Sequence, residues 1–243
     1  MSRLLPKNLQ TRFVVHDRSL LIDLGCCRRV LSSAPRRGGL VRARYILNHQ
    51  VEANPIAAPF ARRRRRWEDP ARYLGRVARR LGGDAPCVGL MTAVSLKQLV
   101  VMREETDDVW IEGFFTVGIS NAVRAGESTG PIQRNTSESA GTINMVLVTN
   151  ARLTSMALVG AVQVATESKT AVLLSRRIRS WTGRPGATGT GTDAVVVVSG
   201  EGRLVRYSGT HTQFGEMVGR LVRRGVSEGL IHSKGGSTIG LRR

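Results

Sequence analysis

Two histidines stand in polar surroundings that suit acid–base chemistry. His49 lies between Asn48 and Gln50 at the end of an apolar stretch. An imidazole there can act as a general base or a metal ligand, or sit as a hydrogen-bonded structural residue. His211 stands in Tyr207-Ser208-Gly209-Thr210-His211-Thr212, where a helix is expected to open. The positive end of that helix disfavours imidazolium, which leaves a neutral ring able to accept a proton from water or a hydroxyl; the other reading is a ring that packs at the helix start. His16 and His232 fall outside the polar segments. Asp193 closes Thr188-Gly189-Thr190-Gly191-Thr192-Asp193 and could orient a histidine, cap the turn or bind a cation. Glu167 lies in a largely apolar helical stretch, so it needs a partner or a catalytic role. Lys169 is two residues away and off its face, so it is not the natural partner. Glu216 follows His211 by five residues. At 100° per residue the two side chains diverge by about 140°, which argues against a simple dyad. Glu216 is either solvated near Arg220 or brought into a site by another segment that covers its face.

The Thr188–Asp193 loop suits an oxyanion cradle. Its glycines let backbone N–H groups turn toward a ligand, and its threonines add hydroxyl donors. The bland alternative is a Gly-rich turn into the strand at Val195. It is not the GxxxxGK[ST] loop of nucleotide hydrolysis, and HExxH and CxxC pairs are absent from the chain. Other polar residues border apolar strands: Asn48, Thr92, Thr116, Asn121 and Asn144, with Thr190, Thr192, Thr210 and Glu216 further on. Polar side chains in such places are tolerated when they share partners or face a wet pocket. Asn48, Thr116, Asn121, Asn144 and Thr190, with His49, Glu167, Asp193 and His211, are therefore expected to line one cleft; Thr92, Thr192, Thr210 and Glu216 are further substrate-binding candidates.

The elements that must position them follow from periodicity. Strands are expected over 12–16 and 19–24 about an Asp17-Arg18 turn, then over 29–33 and 40–47 about Arg36-Arg37-Gly38-Gly39. A polar basic connection and a short helix occupy 52–85; Asp69 caps the helix, Pro70 takes its first position and Gly82-Gly83 ends it. Strands over 87–94, 99–103 and 109–119 precede a long loop over 120–140. A strand over 142–149 leads to a helix over 154–174. Met156, Leu158, Val159, Val162 and Val164 make that helix apolar almost all round, so it is expected to be the most buried. A second Gly/Thr-rich loop spans 180–191, a strand covers 195–198, and 204–207 is expected to pair with it. Thr210 and Gln213 match a capping box for the last helix, whose stripe is Phe214, Met217, Val218, Leu221 and Val222. Gly215 and Gly219 flank that stripe, where a close backbone neighbour could pack. The whole predicts α/β or α+β: a single domain over 1–232 with a mixed β-sheet and three or more helices, and a flexible basic tail over 233–243.

Composition narrows the class. With 41% hydrophobic residues the 243-residue chain can pack a core, so a wholly disordered basic tail is excluded. The charge is +19, yet lysine occurs only at 7, 97, 169 and 234; the other 33 basic residues are arginine. Such charge permits nucleic-acid binding, to which the run 62–66 would contribute, without demanding it. Aromatics are only 5%, too few for base-stacking platforms, so nucleic acid is not the expected partner. Cys26, Cys27 and Cys87 form neither a disulfide framework nor a zinc knuckle. No run of about 18 apolar residues predicts a membrane span, and the N-terminus lacks the apolar core of a secretory signal, so a cytoplasmic protein is expected.

Taken in order, six segments carry a family resemblance: Leu47-Asn48-His49-Gln50-Val51, Gly89-Leu90-Met91-Thr92-Ala93, Thr116 through Ala122, Ala165 through Thr170, Thr188 through Asp193, and Tyr207 through Thr212. With Thr142-Ile143-Asn144 they resemble the adenosylcobinamide amidohydrolase family, from about residue 24 to 230. Gly-Thr-Gly-Thr-Asp-Ala-Val, followed by Tyr-Ser-Gly-Thr-His-Thr and Gly215-Glu216, is the most specific part. Ser168 and Ser208 depart from it, standing where alanine is more usual. The resemblance implies hydrolysis of the amide joining the aminopropanol arm to the corrin ring, with a corrinoid small molecule as partner. The sequence itself shows no required cofactor and leaves open whether a metal is needed; the substrate carries its own cobalt. Three routes fit the residues: water activated by histidine, a Thr or Ser nucleophile, or a metal held by His49, His211 and a carboxylate. The preferred reading is a histidine-and-carboxylate site acting on water or a hydroxyl. The competing classes are a corrinoid-binding module without catalysis and a basic nucleic-acid-binding protein.

Overall fold

The computed structural model describes residues 6, 8–51, 69–83, 85–128 and 141–235. The arginine run 62–66, most of the basic connection before the first helix, the 129–140 part of the long loop and the tail beyond 235 lie outside the described residues. The strands in chain order are β1 (Arg12–His16), β2 (Ser19–Ser32), β3 (Gly39–Gln50), β4 (Cys87–Thr92), β5 (Val100–Glu105), β6 (Trp110–Val117), β7 (Ala122–Val123), β8 (Ile143–Thr149), β9 (Arg152–Leu153), β10 (Gly189–Thr190), β11 (Ala194–Val198) and β12 (Leu204–Val205). The helices are α1 (Pro70–Arg80), α2 (Ser155–Ser175) and α3 (Gln213–Gly235), with a short 3₁₀ turn at Leu96–Gln98. Eight strands form one mixed sheet in the order β4-β3-β2-β11-β8-β6-β5, with β1 on the free half of β2. Two pairs are parallel, β3 with β4 and β11 with β8.

The first hairpin turns as expected. Asp17 and Arg18 both take positive φ, 45° and 58°, as a two-residue turn matched to strand twist requires. The two strands expected after it are one. β2 runs 14 residues through a bulge, where Gly25 takes φ 77° and its N–H is held by the Asp23 carboxylate at 2.9 Å. The register against β3 slips between Asp23 and Arg28. A bulge bends the strand that carries it, and here it doubles the sheet over on itself. Ile22, Ile46 and Leu90 of one leaf consequently share a core with Phe114, Val146 and Val196 of the other. The edge of Phe13 on β1 meets the ring of Phe114 at 5.2 Å between centroids.

Period-two alternation sets the outer layers. On β8, Asn144, Val146 and Val148 face the other leaf, while Ile143, Met145 and Leu147 face α2 and α3. Leu21, Leu47 and Cys87 lie under α1 with Leu74 and Val77. α1 begins as the sequence predicts: the Asp69 carboxylate accepts from the N–H groups of Ala71 and Arg72, and Pro70 follows it.

Four further expectations are corrected. α2 packs one face on β11 and α3 and leaves the other to solvent, where Met156 and Val159 are each 60% exposed. Its near-uniform apolarity reflects composition, not burial on all sides, although it is the one described helix long and apolar enough to cross a membrane. β12 pairs in parallel with β9 and not with β11. The close pass of Gly200 over Asn150, where an added Cβ would stand 2.1 Å from the carbonyl oxygen, carries the chain across the end of β8 instead. α3 starts at Gln213, with the Thr212 hydroxyl accepting from the Gly215 N–H, so the Thr210 capping box does not form. Gly215 is needed because a Cβ there would meet the Gly209 carbonyl oxygen at 2.1 Å. The helix also continues through Ser233 to Gly235.

Glu112 closes the end of the leaves opposite Asn144. Fully buried, it accepts from the N–H groups of Gln10 and Thr11 at 2.7 and 2.9 Å and from the Arg103 guanidinium. Removing one partner of a buried pair leaves an uncompensated charge, so Glu112→Ala should cost about 3 kcal/mol or more in urea unfolding. A loss below about 1 kcal/mol would mean that the segment before β1 is held by something else.

Candidate active site

At the other end of the leaves three polar side chains meet between them. Asn48 on β3 donates through Nδ2 to the Thr116 hydroxyl of β6 at 3.1 Å. Asn144 on β8 donates through Nδ2 to Asn48 Oδ1 at 3.0 Å and to the Met91 carbonyl at 2.8 Å. Two acceptors on one amide nitrogen fix how Asn144 is turned. Its Oδ1 then has no partner among the described residues, although the residue is only 1% exposed. Asn121 Oδ1 is a second buried acceptor without a partner among the described residues. It lies against Gly141, where an added Cβ would be 2.8 Å from it. Buried polar atoms are nearly always satisfied, so two orphan acceptors at one end of the fold point to missing donors.

Around the edge from this pair sits an ion pair. Lys169 Nζ of α2 donates to Asp193 Oδ2 at 2.5 Å, with side chains 8% and 12% exposed. Asp193 also accepts from the N–H of Ile143 at 3.0 Å, from the N–H of Thr190 at 3.1 Å, and from the Thr190 hydroxyl. Four donors on one carboxylate offset much of what its desolvation costs. The approach depends on Gly189, where a Cβ would stand 2.4 Å from Asp193 Oδ2 and 2.8 Å from Lys169 Nζ. The Thr192 and Thr142 hydroxyls are 2.7 Å apart. A Cβ at Gly191 would meet nothing within 4 Å, so the Gly-Thr loop is open on that side. β10 in this loop pairs with β7, an element inside what reads in sequence as pure loop.

The structure thus gathers Asn48, Thr116, Asn121, Asn144, Thr190, Thr192 and Asp193 at one end. It does not bring His49, His211 or Glu167 there, which corrects the expectation of one cleft, and the substrate-binding candidates Thr210 and Glu216 also lie elsewhere. His49 is next to Asn48 but points out of the opposite face of β3, under α1. Its Nδ1 lies 2.8 Å from the Ser19 hydroxyl and its Nε2 lies 2.8 Å from the Tyr73 hydroxyl. Ser19 donates to the Asp17 carbonyl at 3.1 Å, so Nδ1–H donates to Ser19 and Tyr73 donates to Nε2. Both ring nitrogens are used by a neutral ring. His211 is exposed in the turn whose Ser208 hydroxyl donates to the Ala157 carbonyl in the first turn of α2. Lys169 is twelve residues further along α2, about 18 Å at 1.5 Å per residue. The two histidines occupy opposite outer layers. Glu167 takes Gln163 as its partner at 2.9 Å, and Glu216 takes Arg220 at 2.5 Å, both in solvent. Thr210 is exposed, and Thr92 accepts from the Val94 N–H at 3.0 Å as a turn cap. Burial pushes the Cys87 thiol up to about 12, which removes it as a nucleophile.

Sequence reasoning missed Lys169 and Thr142. The signal for Lys169 was its rarity: one of four lysines in a chain otherwise basic through arginine, set in an apolar helix.

Comparison with known proteins follows this geometry. The profile described as adenosylcobinamide amidohydrolase matches residues 5–238. An uncharacterized protein of Methanocaldococcus jannaschii is 35% identical over 235 residues, covering 90% of this chain and 88% of its own. A protein of Methanosarcina mazei named adenosylcobinamide amidohydrolase is 31% identical over 205 residues, covering 79% and 86%. Among solved structures the PH0078 protein of Pyrococcus horikoshii matches at a TM-score of 0.46 and 10% identity, covering 88% of this chain and 77% of that one.

The His49 arrangement sets a pH dependence. Burial, then the charges of Arg18 and Arg80, hold its pKa below the ordinary 6.5, with Asp17 opposing them. As pH falls below 6.5 the unfolded chain takes up a proton that the folded ring refuses, so stability is lost on acidification. Melting temperature followed from pH 8 to 5 should fall less steeply for His49→Gln than for the wild type. Parallel curves would show that this ring does not titrate between the two states.

Proposed function

The chain belongs to the adenosylcobinamide amidohydrolase family, and on that basis we propose that it cleaves the amide joining the aminopropanol arm to the corrin ring of adenosylcobinamide. The products of this reading are adenosylcobyric acid and aminopropanol, and the reaction serves corrinoid salvage in the cytoplasm. The observation that supports a hydrolytic site is the Lys169–Asp193 pair beneath an open Gly-Thr loop, beside two buried carboxamide oxygens that lack donors among the described residues.

Amide hydrolysis needs donors where the carbonyl oxygen becomes negative, a positioned nucleophile and a proton for the departing amine. In this reading the Lys169 ammonium, held by Asp193, supplies charge near the developing oxyanion. The Thr192 hydroxyl, oriented by Thr142, positions the attacking water or itself attacks. Either way an oxygen–carbon bond forms, the carbon–nitrogen bond breaks, and the proton from the nucleophile ends on aminopropanol; where Thr192 attacks, a water then cleaves the threonyl ester, its oxygen staying on the acid and its proton restoring the hydroxyl. Asn144 and Asn121 accept N–H groups of the substrate's amides. Cobalt enters as part of the substrate.

Turnover of adenosylcobinamide, followed as release of aminopropanol, tests the assignment. Lys169→Met and Asp193→Asn should each lower it at least about a hundredfold, and Thr192→Val at least about tenfold. His211→Ala and Glu216→Gln should stay within about threefold, since surface changes seldom disturb a distant site. Because breaking a buried pair destabilises the fold, Lys169→Met is read with the Lys169→Met/Asp193→Asn double variant and thermal melts. A hundredfold loss in His211→Ala, with Lys169→Met active, would move the chemistry to the start of α3. Tight corrinoid binding without product would make the protein a binding module.

A further inference from the structure

Between α2 and β10 the chain forms a tight loop. The Ser180 N–H donates to the Arg184 carbonyl, the Gly183 N–H donates to the Ser180 carbonyl, both at 2.8 Å, and Gly183 takes φ 82°. One carboxylate ties this loop down. Glu127 accepts from the Ser180 hydroxyl at 3.1 Å and from the Thr182 hydroxyl. The residue between those two anchors is Trp181. Its N–H donates to the Ala122 carbonyl of β7 at 2.7 Å, yet its side chain is 56% exposed. Both neighbours and its own backbone are thus pinned while its indole stands in solvent.

The position matters because β7 pairs on its other edge with β10, Ala122 opposite Thr190. Trp181 is two strand spacings, about 10 Å, from the Thr190–Asp193 loop. A corrinoid is a broad flat conjugated ring whose amide arms radiate from its rim. With one arm's amide at that loop, the body of the molecule must cover neighbouring surface over about that distance. We propose that Trp181 is the stacking platform that receives a flat conjugated face of the corrinoid substrate, the corrin ring or the adenine of its upper ligand. This rests on the reading of the site given above. A rigidly held aromatic fits such a platform, because it offers large contact area and loses little freedom on binding. Trp181 is then a specificity residue that sets binding and not the chemical step.

The experiment measures KM and kcat for adenosylcobinamide with wild type, Trp181→Ala, Trp181→Phe and Trp181→Leu. Equilibrium dialysis of adenosylcobinamide and of adenosyl-free cobinamide runs beside it. Trp181→Ala should raise KM and Kd about tenfold and leave kcat within about twofold. Trp181→Phe should recover most of the loss, and Trp181→Leu should not. A penalty that persists with adenosyl-free cobinamide assigns the stack to the corrin ring; one confined to adenosylcobinamide assigns it to adenine. Unchanged KM and Kd in Trp181→Ala, or leucine as good as phenylalanine, overturns the platform while leaving the hydrolytic reading intact. A wild type that binds corrinoid but releases no product, with binding weakened by Trp181→Ala, overturns the hydrolytic reading and keeps the platform. A wild type that neither binds nor hydrolyses overturns both.

Discussion

The bend in β2 at Gly25 is the constraint on which the rest depends. In the strand order, β2, β11 and β8 separate β3 from β6, so in an open sheet Asn48 could not touch Thr116. The bulge folds the β2–β3 hairpin over the sheet, and the two residues come within hydrogen-bonding distance. That closure also buries both inner faces of the sheet against each other and leaves both outer faces to helices. A polar cluster is tolerated at the open end of such a sandwich only because each member is shared between leaves. Asn48 accepts from one strand and donates to another, and Asn144 reaches back to Met91.

Charge is distributed by the same logic. Glu112 with Arg103 closes one end of the leaves, and Asp193 with Lys169 stands at the other. Neither pair is strong evidence for stability, because desolvation consumes most of the Coulombic gain. What separates them is their surroundings. Glu112 is wrapped by the segment before β1. Asp193 stands under a glycine loop with open space beside it and unpartnered acceptors close by. The first pair fastens a chain end; the second lies where a ligand can approach.

Most elements are legible in the sequence because local signals and tertiary packing agree. The Asp69-Pro70 start of α1 and the Asp17-Arg18 turn follow from side chains adjacent in sequence. The failures share one cause. The run through Gly25 reads as two strands because a bulge and a turn look alike to a local pattern. The 204–207 segment reads as the partner of its sequence neighbour because the close pass of Gly200 over Asn150 is a long-range contact. At the site, the Gly-Thr loop, Asp193 and the asparagines are legible as polar residues beside apolar strands. The outward turn of His49 follows from strand alternation once Asn48 faces inward. The depth of Lys169 depends on where α2 lands, which spacing within the helix cannot reveal.

The histidines draw attention by residue type, and the structure shows why type is a weak guide here. A ring with both nitrogens engaged, as in His49, has no lone pair or proton to offer without breaking the bonds that seat α1. A ring in open solvent, as in His211, is oriented by no hydrogen bond from the described residues. Catalytic force comes from preorganised dipoles and charges in a place that excludes water. Among the described residues, the Asp193 neighbourhood holds such fixed charges through close backbone approach. Gly189 lets the carboxylate and ammonium sit where a Cβ would be, and Gly141 lets Asn121 lie against the strand that carries Asn144. The glycines that make the loop look featureless in sequence are what allow a charged pair and two amide oxygens to share the end of one sandwich.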